Sequence, residues 1–184
     1  MFPENTDDDV LFILKHIGIE DSDHFTQYTF VQNPSVAKKT AAKHPIPSPF
    51  TPFDAIKKFV DLRGALVKKT LKNLAPFCKD KSDGERLMQI ADDKALFQSE
   101  ISSKQLGLID IFKIFKSCKP TLAGLIQSSQ RIMPKYYTIA SSSAVYPDKI
   151  KIAISLTIDQ LEGGQRKYGQ NSRFLQMMYE TGKY

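Results

Sequence analysis

The chain has 184 residues, 41% apolar and 25% charged, an ordinary globular balance that excludes wholesale disorder and fibrous repeats and suits one large domain or two small ones. Its formal charge is +6, but 26 basic residues are interspersed with 20 acidic ones and never form a run of five, so the surface reads as solvated and not as a nucleic-acid stripe. No apolar run approaches the ~20 residues that cross a bilayer, and the acidic start MFPENTDDDV is unlike a signal peptide; the expectation is a cytoplasmic segment without a transmembrane span.

In chain order, Thr6 followed by Asp9 has the spacing of a capping box, and Val10, Ile13, Leu14 and Ile17 then share one helical face up to Gly18. Residues 19–43 predict a loop with one short helical turn. Pro45, Pro47, Pro49 and Pro52 hold the next stretch extended, because each fixes its own φ and disfavours helix in the residue before it. A helix with Ala55, Ile56, Phe59 and Val60 on one face can follow. After Arg63-Gly64 a further run carries Leu66, Val67, Thr70, Leu71 and Leu74 up to Pro76. Ser82 and Glu85 repeat the capping-box spacing and predict a helix over roughly 83–92. Leu108, Ile111, Phe112 and Phe115 form an i, i+3, i+4, i+7 stripe, which is helix-packing core before it is anything chemical. Residues 1 to about 130 therefore predict a helical assembly without internal repeats.

The chemistry-bearing residue types in this first part are sparse. Cys78 and Cys118 are far apart and lack a CxxC spacing, which supports neither a zinc site nor a disulfide framework and suits a reducing compartment. His16, His24 and His44 have no second ligand at a persuasive spacing and read as packing or surface histidines.

The texture changes after Pro134. KYYTIAS and KIKIAISLTI alternate with the strand period on either side of the turn AVYPD, predicting two antiparallel strands. Alternation puts Lys135, Tyr137, Ile139 and Ser141 on one face and Tyr136, Thr138 and Ala140 on the other. A cation beside an aromatic ring can hold a planar, phosphorylated ligand. Glu162-Gly163-Gly164 opens a loop leading to Gly169-Gln170-Asn171-Ser172 and the amphipathic tail RFLQMMYE. A glycine, free amides, a hydroxyl and a helix N-terminus suit a pyrophosphate.

Together these residues resemble a known family. PKYYTIASSSAVYPDKIKIAISLTI is similar to the flavin-binding signature of the diflavin reductases, whose pattern is Arg-x-Tyr-Ser, then Ile-(Ala/Ser)-Ser-Ser, then Gly-x-x-(Ser/Thr) after the second strand. KHPIPSPFTPFDAIKKFVDL resembles the entry and first helix of that family's connecting domain, and MFPENTDDDVLFILKHIG resembles the segment leading into it. The resemblance implies an α+β fold, a predominantly helical connecting domain attached to part of an antiparallel FAD-binding β-barrel. Its divisions are residues 1–18 leaving the barrel, 19–130 as the connecting domain, and 131–184 as the partial barrel with its pyrophosphate loop and helix.

Carried over by position, the resemblance puts Tyr137 against the isoalloxazine, Thr138 with its hydroxyl near the reactive part of the flavin, and Lys135 at the arginine that meets the FAD phosphates. The backbone at Ala153 and Ser155 would run alongside the cofactor, and Gly169, Gln170, Asn171 and Ser172 would hold the pyrophosphate. Lysine in place of arginine keeps the charge but loses the bidentate fork, worth on the order of 1 kcal/mol. Thr138 in place of serine keeps the hydroxyl and adds a methyl. The resemblance also implies an internal segment of a longer NADPH-dependent enzyme, with an FMN-binding flavodoxin-like module before it, an NADPH domain after it, an electron-acceptor protein as partner, and a parent that can be anchored to the cytosolic face of a membrane. The 184 residues alone are expected to hold little FAD. The competing reading is a helical interaction module that kept this fold and lost the cofactor.

Overall fold

A computed structural model describes residues 3–31, 46–160 and 166–182 of the chain. His44, Pro45 and the Glu162-Gly163-Gly164 loop lie outside the described residues. The chain divides into two compact units, Asn5–Ile132 and a smaller one consisting mainly of the sequence from Met133 onward.

In the larger unit, α1 (Asp7–Ile17) begins where Thr6 Oγ1 accepts the Asp9 N–H at 3.4 Å and ends at Gly18, whose φ of 80° is the left-handed conformation that closes a helix. The reciprocal half of the predicted capping box is replaced by a stronger contact. Asp9 Oδ2 and Oδ1 accept Arg63 Nε–H and Nη2–H, each at 2.6 Å, a bidentate pair whose carboxylate is almost wholly buried. α2 (Pro52–Phe59) starts on Pro52 with Thr51 Oγ1 accepting the Asp54 N–H at 3.1 Å. Its C-terminal carbonyls are met from outside: the buried Asn5 donates through Nδ2 to Ile56 O at 2.8 Å and Val60 O at 2.6 Å, satisfying groups that a helix end leaves open.

α3 (Lys68–Leu74) is followed by a single 3₁₀ turn, Ala75–Phe77, in which Pro76 stops the helix. α4 (Lys81–Asp92) begins at Lys81 with Asp80 at its N-cap, so Ser82 lies inside the first turn and not at the cap position that its spacing with Glu85 suggests. α5 (Lys94–Phe97) is capped by Asp93, which accepts from Ala95 N–H and Leu96 N–H, and continues as a π-helical turn over Gln98–Ser102. α6 (Leu108–Ile114) carries the predicted stripe, and α7 (Leu122–Ser128) is capped by Thr121. One core gathers Ile13 and Leu14 of α1, Ile56 of α2, Leu71 and Leu74 of α3, Leu87 of α4, and Ile111 and Phe112 of α6, all fully buried. Among the described residues no helix is long and apolar enough to cross a membrane.

His16 is built into this core edge. Its ring centroid lies 4.8 Å from that of Phe112 and 6.0 Å from that of Phe12, and Nε2 is 2.7 Å from the Cys118 carbonyl oxygen. Burial is the main cause that lowers its pKa, with Lys119 adding to it and the Cys118 hydrogen bond opposing it. The unfolded chain then takes up the proton more readily than the folded one, so stability is full above the unfolded value near 6.5 and is lost as pH falls through the folded value. The wild-type unfolding midpoint is expected to drop between about pH 7.5 and 5.5, and His16→Gln to drop less over the same interval. Equal slopes for the two proteins would contradict the assignment.

Among the described residues of the smaller unit the expected part of an antiparallel β-barrel is not seen. Among the described residues the sheet is one two-stranded ribbon, β1 (Ile158–Gln160) against β2 (Arg166–Tyr168), in register Ile158↔Tyr168. The predicted strand pair 135–141 and 149–158 meets at a single antiparallel bridge, Ile139↔Ile152, with Ala140 N–H donating to Lys151 O at 2.8 Å. The physical reason is that alternation reports a pleated chain but not its partners. Tyr136 (88% exposed), Ile139 (58%) and Ile150 (72%) face water, so the burial that would hold a continuous ladder there is not supplied. Among the described residues the fold is thus helical with one short ribbon, not α+β with a barrel. α8 (Gln170–Thr181) closes the described chain and ends at Gly182, φ 66°.

Candidate functional site

The N-terminus of α8 is where the smaller unit brings its polar groups together. Gly169 stands at the N-cap with no side-chain cap for the helix, and the first helical N–H groups have no residue four positions back within the helix to accept from them. Arg173 N–H, one turn in, donates to Gly169 O at 2.9 Å. Among the described residues no side chain caps these amides, which lie at the positive end of the helix dipole.

Two hydrogen bonds fix this end. Gly169 N–H donates to Thr157 O at 2.9 Å, and Thr157 N–H donates to Ser172 Oγ at 2.9 Å. A Cβ on Gly169 would lie 3.3 Å from Thr157 Cβ and 3.4 Å from Ser172 Oγ, a tight fit that Thr157 would have to ease by a few tenths of an ångström. Ser172 is buried. Its oxygen is used as an acceptor, which leaves its O–H to donate.

Asn171 links this end to the aromatic stretch. It is 7% exposed, and its Nδ2–H donates to the Tyr137 hydroxyl. The other end of the carboxamide, Oδ1, is buried without a hydrogen-bond partner among the described residues. A buried polar atom left unpaired costs about 1–3 kcal/mol, and native structures rarely leave one so unless something else meets it. An aromatic ring, an orphaned carboxamide and an open helix N-terminus in one place fit a ligand that is both planar and phosphorylated.

The structure thus brings Tyr137, Gly169, Asn171 and Ser172 together, with Tyr137 half-buried. Gln170 is the first residue of α8. Lys135, Thr138, Ala153 and Ser155 are exposed. The residue that meets the helix from the second extended segment is Thr157, two positions beyond Ser155, which sequence reasoning did not single out. Its one available signal was its place at the end of the alternating run. Lys151 was missed as well; its Nζ lies 3.7 Å from the centroid of the Tyr146 ring, a cation–π contact across the turn.

Residues 1–174 match the family described as the FAD binding domain. The chain belongs to that family. It is 26% identical over 179 residues to an NADPH–cytochrome P450 reductase of Musca domestica, covering 95% of this chain and 26% of that protein. It is 25% identical over 189 residues to a nitric oxide synthase of Anopheles stephensi, covering 100% of this chain and 15% of that protein. With the mitochondrial pyruvate dehydrogenase (NADP+) of Euglena gracilis it shares 31% over 150 residues, 82% of this chain and 8% of that protein. The chain accordingly spans about a quarter or less of the length of these relatives. The family and these relatives agree with the diflavin reductase resemblance of PKYYTIASSS, and FAD is the cofactor of the FAD binding domain family.

Proposed function

We propose that this chain is the FAD-binding and connecting segment of an NADPH-dependent diflavin oxidoreductase, one that passes electrons from NADPH through FAD and FMN to a haem or other acceptor protein in the cytoplasm. The observation that carries the reading is the Asn171–Tyr137 hydrogen bond. It sets an aromatic ring beside the N-terminus of α8, where a buried carboxamide oxygen has no hydrogen-bond partner among the described residues. FAD, when bound, supplies a ring system that exchanges a hydride with a nicotinamide and releases electrons singly.

In this reading Tyr137 packs on the isoalloxazine and is held in place through Asn171. Thr138 offers its hydroxyl at the reactive edge, Lys135 meets phosphate charge, and the backbone at Ala153 and Ser155 borders the cofactor. Gln170, Asn171 and Ser172 hold the pyrophosphate through main-chain N–H groups, which suit an anion at a helix N-terminus, and Gly169, whose own N–H is taken by Thr157 O, borders it without a side chain. The partners follow from the same reading: an FMN-binding flavodoxin-like module and an acceptor protein.

The test is flavin titration of the parent protein with Tyr137→Ala and Tyr137→Phe. Loss of stacking on one ring is worth about 1–3 kcal/mol, so the alanine variant is expected to bind FAD about tenfold more weakly or worse. The phenylalanine variant keeps the ring, loses the Asn171 contact and falls between. Equal FAD affinity in Tyr137→Ala would sink the stacking role, and a parent protein that binds no FAD at all would favour the helical interaction module instead.

A further inference from the structure

Cys78 and Cys118 are separated by the 39 residues from 79 to 117, yet the fold of the larger unit sets them directly opposite each other as an antiparallel bridge. Lys79 N–H donates to Ser117 O and Lys119 N–H to Phe77 O, both at 3.0 Å. Hydrogen bonds flanking a pair in this way mark it as a non-hydrogen-bonded antiparallel pair, whose Cα atoms are about 4.5 Å apart. That separation falls within the ~4.4–6.8 Å range a disulfide spans. Both thiols are free.

The two sulfurs differ in access. Cys118 is fully buried, with Sγ 3.5 Å from the Leu74 carbonyl oxygen. Cys78 is half-buried and lines a cavity of about 610 Å³ together with Pro76, Lys79, Lys81, Glu85 and Met88. A reagent entering from solvent meets Cys78 first, and Cys118 stands behind it in position to resolve the product.

We propose that Cys78 and Cys118 are a thiol–disulfide pair that closes by exchange with a small-molecule disulfide of the glutathione type admitted through this cavity. The Cys78 thiolate attacks one sulfur of the reagent, forming a mixed disulfide and releasing one reagent thiol. The Cys118 thiolate then attacks Cys78 Sγ and expels the second. Two protein thiols are oxidised, one reagent disulfide is reduced to two thiols, and the two protons lost from the cysteines go to them. Burial pushes both thiols up from their ordinary values, with the Asp83 carboxylate adding to it, so closure is slow at neutral pH and follows sustained oxidation. The bond ties the segment after α3 to the segment after α6 and encloses α4, α5 and α6.

The experiment incubates the 184-residue chain in mixtures of reduced and oxidised glutathione, alkylates the remaining thiols under denaturing conditions, and measures intact mass, linked peptides and thermal unfolding. The expected result is that both thiols disappear together in the monomer, with the mass falling by two hydrogens and a peptide joining Cys78 to Cys118. The unfolding midpoint rises by roughly 5–10 °C. Dithiothreitol reverses all of these changes, and Cys78→Ser abolishes them. Two alkylatable thiols in the most oxidising mixture would overturn the proposal. So would a lasting glutathione adduct on Cys78 beside an alkylatable Cys118, or a disulfide found only between two chains.

Discussion

Phe112→Ala is expected to lower the stability of the larger unit by about 3–5 kcal/mol, the range for deleting a buried aromatic ring from a packed core. The ring is fully buried in α6 and lies against the His16 ring of α1, so its loss opens a void where two helices meet. Closely packed side chains refill such a void only in part. In urea the midpoint should fall with the slope unchanged, since the surface exposed on unfolding is nearly the same. Phe112→Leu, which keeps most of the volume, should cost much less, within about 1.5 kcal/mol. A second observable ties the effect to this location. Because burial is the first cause holding the His16 pKa down, the cavity should admit water beside the imidazole and let its pKa climb back towards 6.5 in an NMR titration. A destabilised Phe112→Ala protein with an unmoved His16 would place the damage elsewhere.

The helices of the larger unit were legible wherever a local signal and a buried face agreed. Thr6 and Gly18 bracket α1, Pro52 opens α2, and the 108–115 stripe becomes α6 because each of these features acts within one or two turns of chain. Ser82 misled because capping-box spacing specifies a possible bond, while the residue that takes the cap is decided by where the preceding turn ends. α5 and its π-helical extension carried no apolar periodicity long enough to read; their only local mark is Asp93 at the cap. The Cys78–Cys118 pair was invisible in principle, because its register depends on how α3 and α6 end and not on any spacing between the cysteines.

At the candidate site the division has the same cause. The GQNS glycine and the helix after it are local features and stand where the residues predicted them. The Asn171–Tyr137 bond and the Thr157 clamp join segments separated in sequence, so no pattern announces them. The alternating runs 135–141 and 149–158 showed correctly that the chain is extended around Ile139 and Ile152. They could not show which neighbouring backbone would satisfy the ladder, and the barrel expectation failed on that point.

Arg63→Met should be the most damaging single polar substitution. It removes both donors from a carboxylate that is 11% exposed and pairs with Arg63 through two 2.6 Å hydrogen bonds. Stranding a fully buried charge costs about 3–5 kcal/mol; the Arg63 side chain is 38% exposed, so water reaches one side of the pair and the expected loss is nearer 2 kcal/mol. Arg63→Lys keeps the charge without the fork and should lose about half of that. The decisive measurement is the double-mutant cycle. Asp9→Asn together with Arg63→Met removes the stranded charge, so the pair should be more stable than Arg63→Met alone, giving a coupling energy of about 1 kcal/mol or more. Added salt should change that coupling little, because the carboxylate is shielded from the counterions that weaken exposed pairs. Strict additivity of the two substitutions would mean that Asp9 serves α1 mainly through its place in the first turn, as its spacing from Thr6 first suggests, and that Arg63 anchors the chain after α2 by packing alone.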